Sequence, residues 1–183
     1  MKRLRKLALM CAACIAFTGS VAAFPDIISN SFIVHAAEGN HVEIDGIDYI
    51  VYTDYAKVLG RGWEAKENNT TVKILSDING IPVTYIDEEA FDGDSMTSLV
   101  IPDSITSIGR WAFDNCTDLI TISIGSGITN ISELRTPLSS PSLESVTVSA
   151  DNPEYSSSNG ILFNKDQTEI LEYPKSKPAK KNQ

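Results

Sequence analysis

The sequence predicts a repeat solenoid. It is β-rich α+β, with a short parallel strand ladder on one side, short helices or turns on the other, and a β-hairpin cap at each end. Three observations point there. Met96-x-x-Leu99-x-Ile101 returns as Leu119-x-x-Ile122-x-Ile124, and Ile105-x-x-Ile108 returns as Ile128-x-x-Ile131, each after 23 residues. Strand-like triplets align across four units: Val72-Lys73-Ile74, Leu99-Val100-Ile101, Ile122-Ser123-Ile124 and Val146-Thr147-Val148. Hairpin signals flank these units on both sides. A fixed period of this size marks units made of one strand and a returning turn or short helix. A single unit buries too few side chains to offset the entropy of ordering it, whereas stacked units share a core and a ladder.

In chain order, the first element is a leader. Lys2, Arg3, Arg5 and Lys6 precede an apolar run from Leu7 to Phe17, which is the layout of a secretory signal peptide. Pro25 and Asp26 follow too soon for a retained membrane helix. Two small-x-small sites offer cleavage, Val21-Ala22-Ala23 and Val34-His35-Ala36; the later one gives a signal over 1–36. Cys14 lacks the leucine three residues earlier that a lipoprotein box carries. No integral membrane span is expected after signal removal.

Residues 37–68 form the expected N-terminal cap. Asp45-Gly46 is a strong hairpin signal, because both central positions of the turn need positive φ. Val42 and Ile44 alternate with polar residues before it, and Ile47, Tyr49 and Val51 alternate after it. Tyr55–Asn69 reads as a short strand and a Gly- and Asn-rich turn, in which Trp63 either closes the first coil or offers a stacking face.

The repeats occupy 69–150, with about four strands. The first unit carries an insertion, NGIPVTYI, that places Val83 and Ile86 where Ile105 and Ile108 stand later. Ala90-Phe91 matches Ala112-Phe113, and Gly93 matches Asn115. Asp87-Glu88-Glu89 reads as the solvated start of a helix, where the dipole favours acids. The third unit replaces this segment with ISELRTPLSSPS, and Pro137 and Pro141 argue against a regular helix there. Leu143 nevertheless falls 24 residues after Leu119, keeping the next strand in register. The whole is a leucine-rich repeat solenoid.

The phrase IPDSITSIGRWAFDNCTDL resembles the repeat of the bacterial surface-antigen type, the BspA-like or Treponema-type leucine-rich repeat. The order of its parts (IP, SITSIG, AF, NC, then Leu) is long and unlike other repeat families. The resemblance implies that Cys116 packs inside the coil as a small apolar side chain. It also implies a bacterial, secreted or surface-associated protein engaged in adhesion or in host and community interactions. Residues 151–174, with Asn152-Pro153, Tyr155-Ser156-Ser157, Leu162-Phe163-Asn164-Lys165-Asp166 and Tyr173-Pro174, are similar to a unit that interrupts or closes arrays in this family. Read from the residues alone, Ile161–Phe163 and Ile170-Leu171 around a polar turn make a hairpin cap. Residues 175–183 read as a basic disordered tail, and the chain stopping there suggests a minimal or truncated array.

Charge narrows the partners. The formal net charge is -9, yet residues 1–36 carry +3 and residues 174–183 carry +4, which leaves -16 on 37–173. Nucleic acid needs a basic footprint, so it is not an expected partner. After the leader there is one histidine, His41, and one cysteine, Cys116. These cannot supply the three or four ligands of a zinc site, and nothing near them resembles a nucleophile elbow. Asp92-Gly93-Asp94 is too short for a calcium loop. No Gly-rich phosphate loop follows any strand, so no cofactor is expected.

What remains is a surface. Residues between the core positions of each strand point to the shared sheet face. The alignment sets two rows across it, Thr71, Ser98, Thr121 and Ser145, and Lys73, Val100, Ser123 and Thr147. These eight are the candidate binding residues, for an extracellular protein or glycan met by a monomer. Thr and Ser could equally bond one another across the strands, which would make the face structural. The alternative function is then a structural spacer or accessory fragment of a larger surface-anchored repeat protein.

Overall fold

The computed structural model describes residues 39–62 and 70–177. The leader, Trp63 and the tail beyond Lys177 lie outside the described residues. In chain order the strands are β1 (Asn40–Ile44), β2 (Ile47–Val51), β3 (Ala56–Arg61), β4 (Thr71–Lys73), β5 (Asp77–Ile78), β6 (Ile81–Ile86) and β7 (Ser98–Ile101). They continue with β8 (Ser107–Ile108), β9 (Thr121–Ile124), β10 (Ser145–Val148), β11 (Tyr155–Ser158), β12 (Ile161–Asn164) and β13 (Ile170–Glu172).

The repeat period becomes a parallel sheet of order β10-β9-β7-β4. Val72 pairs with Leu99, Leu99 with Ile122, and Ile122 with Val146, so one row of side chains at full burial runs through the core. Ile101 and Ile124 form a second buried row, which Ile74 and Val148 extend. The result is a β-solenoid of about four turns with mostly parallel strands and little helix.

The return side is made of turns. Phe91 and Phe113 stack with centroids 5.4 Å apart and rings 1° from parallel. Cys116 is buried beside them, its thiol donating to the Phe91 carbonyl at 3.1 Å. The helix expected to start at Asp87-Glu88-Glu89 does not form. Glu89 takes φ +55° and Trp111, its counterpart one unit on, takes φ +58°, a left-handed conformation that a helix cannot contain. The Glu89 N–H instead donates to the Arg110 carbonyl at 3.2 Å, tying one turn to the next. Gly93 and Asn115 are also left-handed, at φ +70° and +56°, as their alignment requires.

The third unit holds one helical turn and no helix longer than that. A 3-10 turn, Ser132–Leu134, runs into α1 (Arg135–Leu138), a single helical turn that contains Pro137. Proline is tolerated because its missing N–H falls in the first turn, where no intrahelical acceptor exists. Leu134 and Leu138 are buried there, in the segment that replaces Ala112-Phe113.

The N-terminal segment is a three-stranded antiparallel meander, in which the short strand expected after Tyr55 pairs onto the expected hairpin. Asp45 (φ +52°) and Gly46 (φ +76°) form its first turn as the sequence indicates. It does not extend the main ladder. Its last strand, β3, runs parallel to β6, which runs parallel to β8, with β5 antiparallel on β6. A second, mixed sheet thus joins cap and repeats edge to edge. Gly60, at φ +131°, lets the chain pass against the Ala90 carbonyl oxygen, where a Cβ would collide. Arg61 Nε and Nη2 then donate to Asp94 Oδ2 and Oδ1 at 2.6 and 3.2 Å, a two-point clamp between β3 and the first repeat.

At the other end β11, β12 and β13 form a three-stranded antiparallel sheet, one strand more than the expected hairpin. It closes the outer edge of β10. The Val146 N–H donates to the Gly160 carbonyl at 3.0 Å, and the Val148 N–H to Ser157 Oγ at 2.9 Å. Asn152 is fully buried and fully engaged: its amide donates to the Gly125 and Ile128 carbonyls, and its oxygen accepts from the Glu154 and Tyr155 N–H groups. Residues 175–177, read from sequence as disordered tail, are docked. Ser176 bonds the Leu143 carbonyl through its N–H at 2.9 Å and the Pro141 carbonyl through its hydroxyl at 2.7 Å, and Lys175 Nζ reaches the Ser139 carbonyl at 2.9 Å.

Candidate binding surface

The structure brings the eight candidate residues together in two straight rows. Thr71, Ser98, Thr121 and Ser145 are register partners in turn, and so are Lys73, Val100, Ser123 and Thr147. All point away from the core, since their strand neighbours are buried. Thr71, Lys73, Thr121 and Thr147 are exposed, and the other four are half-buried. Thr121 Oγ1 donates to Ser98 Oγ at 3.0 Å, so two of the hydroxyls bond each other. The face offers donors and acceptors, one ammonium and one isopropyl group.

Burial pushes the Cys116 thiol up to about 12, and the nearby Asp94, Asp92 and Asp114 charges act in the same direction. It stays protonated, and a thiol is a poor attacking group. His41 is exposed on β1 opposite Ile50. Among the described residues no three His, Cys, Asp or Glu side chains gather as metal ligands. Among the same residues no helix is long and apolar enough to cross a membrane.

Two surface groups carry the larger and more distinctive side chains, and the sequence reading passed over both. One is the outer face of the mixed sheet, where Tyr52 and Tyr55 stack at 4.6 Å and Lys57 Nζ donates to Asp87 Oδ2 at 2.8 Å. The Asp87 hydrogen bond holds the Lys57 ammonium above its usual value; the Asp87 charge and the Tyr52 and Tyr55 phenols reinforce it, against partial desolvation. The other is Trp111, 44% exposed, with the Arg110 guanidinium 3.9 Å from its ring centroid. The Trp111 backbone N–H donates to Glu133 Oε2 at 3.2 Å. The available signal was composition: three tyrosines, at 52, 55 and 85, fall outside the repeat's core positions.

Parallel strands at a fixed period, buried aliphatic rows and turns on the return side make this a leucine-rich repeat protein. The sequence profile of the BspA type leucine rich repeat region matches residues 71–173 in 6 copies. That is more than half of the chain, and the chain belongs to this family. Among solved structures it is similar to a leucine-rich repeat protein from Bacteroides capillosus: 23% identity, TM-score 0.44, covering 60% of this chain and 98% of that one. The leucine rich repeat protein of T. pallidum is likewise 23% identical, with TM-score 0.45 over 58% of this chain and 49% of the other. A leucine rich cell surface protein from Faecalibacterium prausnitzii is 21% identical, with TM-score 0.42 over 62% and 33%. The chain thus spans about half of the second protein and a third of the third. No curated protein matches it in sequence.

Proposed function

We propose that the chain is a secreted or cell-surface binding protein that acts without catalysis, in adhesion or in host and community interaction. Its partner is an extracellular protein or glycan, neither nucleic acid nor a bilayer core, and it meets that partner as a monomer through the β4-β7-β9-β10 face. The observation that carries the reading is the register of the two outward rows, which makes one flat field of hydroxyls from four units. Such a face lacks the aromatic and arginine anchors of a strong hot spot, so each copy binds weakly and many copies on a surface bind well. The signal-like leader over 1–36 and the family's repeat support a location outside the cell.

A second reading rests on the Thr121–Ser98 hydrogen bond. Hydroxyls that satisfy one another make a structural face, and the chain then serves as a spacer or accessory piece of a larger surface assembly. Solid-phase binding of the purified secreted chain to matrix proteins, glycans and intact cells separates the two. Alongside it runs a variant carrying Lys73→Glu, Val100→Glu, Ser123→Glu and Thr147→Glu. Binding by the parent, lost in a variant that still melts cooperatively, is the expected result. Equal binding by both moves the site off this face, and no binding by either favours the spacer.

A further inference from the structure

The turn between β2 and β3 is closed by the Tyr52 N–H, which donates to the Tyr55 carbonyl at 2.9 Å. Val51 and Ala56 beside it face the core, whereas Tyr52 is half-buried and Tyr55 exposed. Their rings stack at 4.6 Å with 19° between planes. Behind Tyr52 lies Gly39 at φ +70°, so close that a Cβ there would stand 3.0 Å from Tyr52 Cε1. Gly39 hems in Tyr52, Tyr52 stacks on Tyr55, and Tyr55 is left 38% exposed. Two positions along the same strand is Lys57, bonded to Asp87. The Glu88 N–H fixes the other Asp87 oxygen at 3.1 Å. Tyr85, the register partner of Lys57 on β6, continues the face and is half-buried.

These parts suit one kind of ligand. A ring held by stacking loses little freedom when something lies on it. Its face is electron-rich and attracts the weakly positive C–H groups on one side of a pyranose. The Lys57 ammonium uses one of its donors on Asp87, and the carboxylate keeps lone pairs, so the pair can both give and accept hydrogen bonds to vicinal hydroxyls. Charge decides between sugars. The ion pair is self-neutral, and the segment 37–173 that holds it carries -16 in all, which disfavours sialylated, uronic or sulfated chains.

We propose that the outer face of the mixed sheet, centred on Tyr55 with Tyr52, Lys57, Asp87 and Tyr85, binds neutral glycan by stacking a sugar ring on Tyr55. The site stands on a different sheet from the hydroxyl rows and does not depend on them. The test is native affinity electrophoresis of the full chain in gels containing mannan, galactomannan or mixed-linkage β-glucan, with polygalacturonate as the anionic probe. The chain should be retarded by at least one neutral polysaccharide and not by polygalacturonate. Tyr55→Ala and, separately, Lys57→Met should weaken that retardation at least tenfold while melting as cooperatively as the parent, and Tyr55→Trp should preserve it. No retardation by any neutral polysaccharide overturns the proposal. So does retardation by polygalacturonate alone, or equal retardation of the parent and both weakening variants.

Discussion

The parallel β4-β7-β9-β10 sheet and the mixed sheet of β1, β2, β3, β6, β5 and β8 come from one chain by different rules. In the first, each strand copies the last, so one outward row is all hydroxyls and the other joins two hydroxyls to a single lysine and a single valine. In the second, strands from the cap, the insertion and the repeats meet with both parallel and antiparallel pairing, and the outward residues include Tyr52, Tyr55, Lys57 and Tyr85. Repetition makes a uniform surface cheaply, but it cannot concentrate large dissimilar side chains at one point. Irregular pairing can. The comparison therefore separates a broad, weak face from a compact, chemically varied one.

The largest effects should come from the rows that both sheets share as core. Phe113→Ala is expected to cost about 3–5 kcal/mol, and Leu99→Ala or Ile101→Ala about 2–5 kcal/mol, as buried large-to-small changes do. All three side chains are essentially inaccessible, and Phe113 also loses its stacked partner Phe91. Urea or thermal unfolding measures this directly, and unchanged melting in all three would contradict the register.

Gly60→Ala separates the sheets. It forces a side chain into φ +131° and against the Ala90 carbonyl. The expected cost is about 1–3 kcal/mol, concentrated where β3 meets β6. Hydrogen exchange reads the location: the Asp87 amide, bonded to the Val58 carbonyl at 2.8 Å, should lose protection. The amides of β7 and β9 should keep theirs. Equal loss in both sheets would mean that the meander and the ladder unfold as one unit.

The same contrast explains what the sequence disclosed. A fixed spacing sets core positions and outward positions together, so the ladder and its register were legible, and the resemblance to the BspA-type repeat implied the burial of Cys116. Asp45-Gly46 was legible because few residues tolerate positive φ at both places. The β3-β6-β8 pairing was not, because β8 has two residues and the β3 partner lies within the insertion that breaks the period. Glu89 and Trp111 gave no hint of their left-handed backbone, because neither residue type favours it; inter-turn hydrogen bonds impose it. The docking of Lys175 and Ser176 depends on carbonyls more than thirty positions away, which local pattern does not reach. Of the candidate sites, the hydroxyl rows followed from the period, and the tyrosine face required the fold.

The smallest effect bears most on function. Thr121 Oγ1 and Ser98 Oγ are 3.0 Å apart at an exposed position. Folding exchanges water for a neutral partner there, so Thr121→Ala or Ser98→Ala should each change stability by less than about 0.5 kcal/mol. The informative quantity is the coupling between them in a double-mutant cycle. Coupling near zero means the hydroxyls are as well satisfied by water as by each other, and a partner can take them at little cost. Coupling of about 1 kcal/mol means the row is already spent on holding β7 to β9. A ligand would then have to break that bond before gaining its own, and the face would serve the solenoid rather than a partner.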